Sequence, residues 1–293
     1  MITKLRYVGW VVDNLEEVTA DIDRIFSMKT TGIENGPYGK TTRMLFPNEC
    51  WLFIREKSAD DAAAYEFYQQ HGENLDHIAL ESDNIREELE RLQKAGLTLT
   101  EADIKDESEG RTITVPAEGP IGFMVKIIQP GKGSFTFDKR LCSNPNMLGL
   151  QHIGVAVKDM DATTGRFEEL FGLKALDLRE DQHYGTQKDM MIETGNDRLW
   201  LHLVQTDDPE NRVFQFRQKH GEGLEHLCVE FDDIRIAVKT TKAAGVPLFM
   251  HKIYLDREDG FESFVYPEYN HGVTVEQIEP YEDSRGYRPR PRS

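Results

Sequence analysis

A chain of 293 residues, 39% hydrophobic and 30% charged, has ordinary globular composition and is long enough for two domains. Its net charge of −17 argues against nucleic acid or an anionic membrane surface as a partner, because both repel an acidic protein. Three scattered cysteines (Cys50, Cys142, Cys228) make no disulfide framework, and no leader-like or membrane-length apolar run is evident, so the expectation is a cytoplasmic protein.

In chain order, the alternating apolar run 5–12 predicts a strand and the amphipathic stretch 15–26 a helix. Strands follow at 41–46 and 51–55, with Pro47-Asn48 as the turn signal between them. A polar helical segment over 60–70 ends at His71-Gly72. The order then repeats: strand 77–81, helix 85–95 stopped by Gly96, and strands near 112–115 and 122–128. A stretch rich in Gly, Ser, Asn and Pro separates two halves. The expected division is an N-terminal domain over 1–132, a linker over 133–147 and a C-terminal domain over 148–281. The second half repeats the plan with strand 152–157, helix 160–171, strands 189–193 and 199–204, and a polar helix over 209–219. It closes with strand 226–231, helix 234–244, and strands 263–266 and 272–278. The Arg- and Pro-containing residues 282–293 are expected to be a disordered tail or an arm on a neighbour.

One phrase underlies this order. It reads LRYVGWVVDNL from Leu5, LDHIALESDNI from Leu75, LQHIGVAVKDM from Leu150 and LEHLCVEFDDI from Leu224. Aligned on Tyr7, His77, His152 and His226, the copies start 70, 75 and 74 residues apart. Each carries Asn or Asp seven positions on (Asn14, Asn84, Asp159, Asp233), followed by an apolar residue. A unit repeated at a fixed period fixes the architecture, here four copies of one module and two modules per half.

Matching positions then carry the chemistry. His152 opens the third module and His202 lies 50 residues on, in its last strand; His226 opens the fourth and Glu276 lies 50 on, in its last strand. Alternate strand residues share a face, so positions kept across repeats keep their facing. If the two modules pair about an approximate two-fold axis, three imidazoles and one carboxylate converge. That set suits one divalent transition metal (Co, Zn, Fe, Ni or Mn) rather than Ca or Mg. The first half has Tyr7, Phe53, His77 and Lys126 at these places, a set that suits no divalent cation. For any one histidine alone, an ordinary packed or surface role is the better reading; the symmetric quartet is what points to a metal.

The phrases GLEHLCVEFDDI, AAGVPL, FVYPEYNHGVTVEQIEP and LQHIGVAVKDMDAT resemble the vicinal oxygen chelate superfamily, and within it methylmalonyl-CoA epimerases most. The resemblance implies an α+β fold of four βαβββ modules paired into two cupped-sheet, glyoxalase-like domains. It places metal ligands at His152, His202, His226 and Glu276, although the epimerases typically have glutamine at the place of His202. Where they have a catalytic glutamate this chain has His183, a candidate general base with Tyr266 as a second candidate catalytic group. Tyr184, Trp200 and Cys228 are expected to line the substrate pocket.

The resemblance implies a metal-dependent isomerase, epimerase or lyase that chelates vicinal oxygens of a small molecule and stabilises an enolate-type intermediate. The alternative is an Fe(II) extradiol ring-cleaving dioxygenase acting on a catechol, a class that commonly has four modules in one chain and metal only in the second half. It matches His152, His226, Glu276 and Tyr266, but His202 would fill a position that O2 and substrate need, and the usual histidine shortly before the tyrosine is missing. A third reading is a non-catalytic small-molecule binding protein. Exposed sheet edges make a homodimer an expectation.

Overall fold

The repeated Asn or Asp of each module turns out to be a helix cap. Asn14, Asn84, Asp159 and Asp233 precede helices α1 (Leu15–Phe26), α3 (Ile85–Lys94), α4 (Met160–Phe171) and α6 (Ile234–Ala243), and their side chains accept from the amides of Glu17, Arg86, Ala162 and Arg235. Such a side chain satisfies an amide that the helix itself leaves without an acceptor. Each helix has a second brace. The first helical amide, of Leu15, Ile85, Met160 or Ile234, donates to the side chain of Glu56, Gln129, Gln205 or Glu279, at 3.0, 3.4, 2.8 and 2.9 Å. Those acceptors stand at or near the end of each module's last strand, so helix and sheet are tied at the same point in all four copies.

The computed structural model describes residues 1–36, 39–117, 119–181, 187–249, 253–256 and 260–281. The first module runs β1 (Ile2–Val12), α1, β2 (Glu34–Gly36), β3 (Gly39–Leu45) and β4 (Trp51–Glu56). After α2 (Ala62–His71), the second runs β5 (Asn74–Ser82), α3, β6 (Lys105–Glu107), β7 (Gly110–Val115) and β8 (Met124–Pro130). The third runs β9 (Met147–Val157), α4, β10 (Ala175–Asp181), β11 (Gln187–Glu193) and β12 (Trp200–Gln205). After α5 (Arg212–His220), the fourth runs β13 (Gly223–Phe231), α6, β14 (Tyr254–Asp256), β15 (Gly260–Val265) and β16 (Thr274–Pro280).

These strands form two eight-stranded sheets, ordered β2-β3-β4-β1-β5-β8-β7-β6 and β10-β11-β12-β9-β13-β16-β15-β14. Pairing is parallel between β5 and β8 and between β13 and β16, and antiparallel along the meanders. This is the α+β arrangement of βαβββ modules expected from the repeat. Helices α1 and α4 have the predicted bounds, whereas the outermost strands β2, β6, β10 and β14 carried no sequence signal. Strand β9 begins at Met147, five residues earlier than the periodicity indicated.

By contacts the chain forms two compact units, one of Met1–Gly9, Asp76–Phe137 and Gly154–Glu225, the other of Trp10–Leu75, Asp138–Ile153 and His226–Ser293. In the first, Arg166 of α4 donates to the carbonyl of Ala95 at the end of α3, at 2.9 Å, and Asn196 brackets Leu5, accepting from its amide at 2.7 Å and donating to its carbonyl at 3.0 Å. The second repeats both devices. Arg24 of α1 donates to the carbonyl of Ala244 at the end of α6, and Asn48 brackets Leu150 at 3.2 and 2.8 Å. A planar amide that pairs with both backbone groups acts as a one-residue strand. Leu150 lies two residues before His152, so this clamp fixes the strand that presents it.

The second unit also holds a half-buried ionic cluster. His271 Nδ1 lies 3.1 Å from Glu73 and its Nε2 3.1 Å from Asp21 of α1, while its carbonyl accepts from the Trp10 indole at 3.2 Å. Burial alone would lower the His271 pKa, but Glu73 and then Asp21 outweigh it and raise it. A raised folded-state value means the ion pairs contribute fully below the unfolded histidine value of about 6.5, and the contribution is lost as pH rises through the folded value. Thermal melts of the protein and of His271→Gln should therefore differ most below about pH 6.5 and converge above the folded pKa. A gap that does not change with pH would contradict the protonated bridge.

Candidate metal centre

Strands β9, β13 and β16 are neighbours in the second sheet, and each gives one polar side chain to a common point. His152 Nε2 and His226 Nε2 are 3.0 Å apart, and Glu276 Oε2 lies 3.4 Å from the first and 3.5 Å from the second. The three residues are 5%, 4% and 6% exposed. The parallel register of β13 and β16 explains the meeting: Cys228 pairs with Glu276 and His226 with Thr274, so alternate residues of the two strands share a face.

Three buried donors at these spacings fit a transition-metal ion. With metal–ligand bonds of about 2.1 Å, two ligands of one ion stand about 3.0 to 3.4 Å apart, depending on the angle between them. The donor types, two imidazole nitrogens and a carboxylate oxygen, suit a first-row divalent metal. His152 is also set for the task, because its Nδ1 lies 2.8 Å from Gln151 Oε1. With Nδ1 engaged there, Nε2 is the ring nitrogen turned to the other two groups.

Electrostatics agree. Burial alone would raise the Glu276 pKa, but hydrogen bonds and charge from His152, then His226, hold it well below the usual carboxylate range. Glu276 is thus ionised and available to a cation. Cys228 also falls in a group with His152 and Glu276. Its thiol reaches Gln151 Oε1 at 3.7 Å, and burial first, then the Glu276 charge, push its pKa well above the ordinary thiol value. Kept protonated, it packs beside the centre as a neutral group.

His202 belongs to the first unit, where its Nε2 is bonded to Asp189 Oδ1 at 3.2 Å, within the β11–β12 hairpin in which Met191 faces His202. Asp189 was missed by the sequence reading; its signal was a lone carboxylate in an otherwise apolar half of a strand. Trp200, two residues from His202, is buried at the start of β12. Tyr266 follows β15, half-buried, with its ring against Phe249 at 5.6 Å. Phe264, which pairs with Glu276 across β15 and β16, touches the same Phe249 ring at 6.2 Å. Phe249, Phe264 and Tyr266 form an aromatic wall on the strand beside Glu276, and of these only Tyr266 was foreseen. His183 and Tyr184 lie outside the described residues.

The first sheet uses the same positions for other chemistry. Tyr7 and His77 meet edge-on with ring centres 5.6 Å apart, as His152 and His226 do at 5.2 Å. There Tyr7 donates to Glu109 at 3.3 Å, His77 lies 2.9 Å from Asp76, and Lys126 bonds Glu107 at 2.6 Å. Phe53 carries the Arg43 guanidinium over its ring.

The sequence profile of the glyoxalase/bleomycin resistance protein/dioxygenase superfamily matches residues 6–115 and 151–265, most of the chain. The chain belongs to that superfamily. It is similar to mitochondrial methylmalonyl-CoA epimerase of Homo sapiens, 24% identical over 133 residues, which is 45% of this chain and 73% of that protein. Among solved structures, a variant of 4-hydroxymandelate synthase from Streptomyces coelicolor superposes with a TM-score of 0.73 at 17% identity, covering 96% of this chain and 93% of that one. A fusion protein of a xylose isomerase-like TIM barrel with 4-hydroxyphenylpyruvate dioxygenase gives 0.67 at 16% identity, covering 98% of this chain and 50% of that one. At such identities the structures share the superfamily fold. Within it, this chain is a metalloenzyme candidate with a buried His/His/Glu centre. No helix among the described residues is long and apolar enough to cross a membrane.

Glu276→Gln keeps the shape of the side chain and removes its charge. It should lower affinity for a divalent metal by more than the roughly 10–100-fold seen when groups behind the ligands are changed. Lys126→Gln, at the matching place in the first sheet, should leave metal content unaltered. Metal analysis after dialysis reads both, and equal losses would contradict the assignment.

Proposed function

We propose that this protein is an Fe(II)-dependent dioxygenase of the superfamily, with a small aromatic substrate that binds through two neighbouring oxygens, a catechol being the reference case. The observation that carries this reading is the meeting of His152, His226 and Glu276, a two-histidine, one-carboxylate set, on three adjacent strands. That set with remaining positions open is the ligand arrangement of non-haem Fe(II) oxygenases. With that set, and with the aromatic rings beside Glu276, the dioxygenase reading is preferred to the enolate isomerase that the sequence had favoured.

When bound, Fe(II) would bring O2 and the two substrate oxygens together and withdraw charge from the substrate. The residues of the chain supply the rest. His202, bonded to Asp189 through Nε2, is the candidate to take a proton from a substrate hydroxyl. Phe264, Phe249 and Tyr266 provide apolar ring surface beside Glu276, which favours an aromatic substrate over an extended thioester.

The second reading, a metal-dependent epimerase or isomerase acting through an enolate, is favoured by the similarity to methylmalonyl-CoA epimerase. Anaerobic loading with Fe(II), followed by a panel of catechols and other vicinally oxygenated aromatics in an oxygen electrode, separates the two. Stoichiometric O2 consumption without solvent deuterium entering the recovered substrate is expected. Exchange of a carbon-bound proton for deuterium, with no O2 uptake, would establish the epimerase reading instead.

A further inference from the structure

Strand β16 delivers Glu276, and the turn ahead of it sets where that strand starts. Pro267–Tyr269 form a single 3-10 turn, the Pro267 carbonyl accepts from the amides of Asn270 at 3.1 Å and Gly272 at 2.9 Å, and Asn270 Nδ2 donates to the Val273 carbonyl at 3.0 Å. β16 follows at Thr274, which pairs with His226. His271 fastens this turn to the rest of the second unit through Asp21, Glu73 and Trp10. Its neighbour Gly272, at φ +81°, lies so near that a Cβ there would stand 1.7 Å from the Glu73 carbonyl oxygen. Glu73 also accepts from the Asp13 amide at 2.9 Å, and Asp21 is paired with Arg24 at 2.8 Å.

The first unit repeats the turn without the ionic part. A Cβ on Gly122 would stand 2.1 Å from the Glu222 carbonyl oxygen, and Glu222 accepts from the Lys158 amide at 2.7 Å, as Glu73 does from Asp13. At the place of His271 is Ile121, which is buried, and at the place of Asp21 is Arg166. An apolar residue thus holds the turn where the matching positions suit no cation, and a titratable one holds it where His152, His226 and Glu276 meet.

We propose that His271 is a positioning residue for the metal centre: its ion pairs with Asp21 and Glu73 fix the turn from which β16 starts, and thereby the seat of Glu276. The inference rests on the three-residue centre and not on the reaction performed there. Bonds with an ionised partner on each side are roughly twice as strong as neutral ones, so the latch is firm while the imidazole is charged. Burial alone would lower the His271 pKa, yet Glu73 and then Asp21 raise it, so the charged latch holds below the folded value and opens as pH rises through it. With the latch open the turn is held by its backbone bonds alone, and Glu276 keeps its 3.4 and 3.5 Å approach to the two imidazoles less strictly. Metal affinity therefore carries the titration of a residue that does not touch the metal.

Chelator-buffered Zn(II) titrated into metal-free wild type and His271→Gln, at about pH 6 and about pH 9, tests this without any assay of turnover. The temperature is one at which circular dichroism shows both proteins folded. At the lower pH the variant should bind Zn(II) about tenfold more weakly, the low end of the range for groups behind the ligands, and at the higher pH the two should bind alike. Protonation of His152 and His226 weakens both proteins equally and cancels in the ratio. Asn84→Ala, which removes a helix cap in the first unit, should bind Zn(II) as the wild type does at both values. Should His271→Gln fail to fold, Asp21→Asn gives the same comparison with a smaller change in the same direction. Equal affinities at the lower pH, a ratio that is the same at both, or an equal loss in Asn84→Ala overturns the proposal. A wild type with no affinity for Zn(II) would instead overturn the metal centre, and this role with it. A protein that proved to be an epimerase would fail the oxygen-uptake test while leaving this one intact.

Discussion

A carboxylate buried between two imidazoles is the constraint around which the second sheet is built. Glu276 is ionised although it is withdrawn from water, and an isolated buried charge is costly. The cost is offset by His152 and His226, and a divalent cation would offset it further. Holding the three groups within 3.5 Å requires three adjacent strands in fixed register. The Asn48 clamp on Leu150 and the bond from His152 to Gln151 serve that register on one strand, while parallel pairing of β13 with β16 serves it on the other two.

The first sheet shows how little of this belongs to the fold. Its modules have the same caps, the same braces and the same edge-on ring pair, with Tyr7 and His77 in place of His152 and His226. Its polar groups are matched to one another, Lys126 to Glu107 and Tyr7 to Glu109. The scaffold positions side chains, and the residue types placed there decide whether the site attracts a cation.

Much of the architecture was legible because it is repeated. The module phrase located all four capped helices, since cap and amphipathic stripe recur together, and β9, β13 and β16 were found from their apolar alternation. The strands β2, β6, β10 and β14 were not, because each is at the edge of its sheet and the shortest are only three residues, too few to show a period. The site was legible to the same extent. His152, His202, His226 and Glu276 stood out by symmetry, whereas the bond from His202 to Asp189, 13 residues away across a hairpin, did not. No periodicity announces such a bond.

The most direct test of the account is the structure of the protein loaded anaerobically with Fe(II), with anomalous scattering used to locate the metal. The account predicts one ion per chain, within bonding distance of His152 Nε2, His226 Nε2 and a Glu276 oxygen, with His202 still bonded to Asp189. An ion elsewhere, or one coordinated by His202 in place of any of the three, would contradict it.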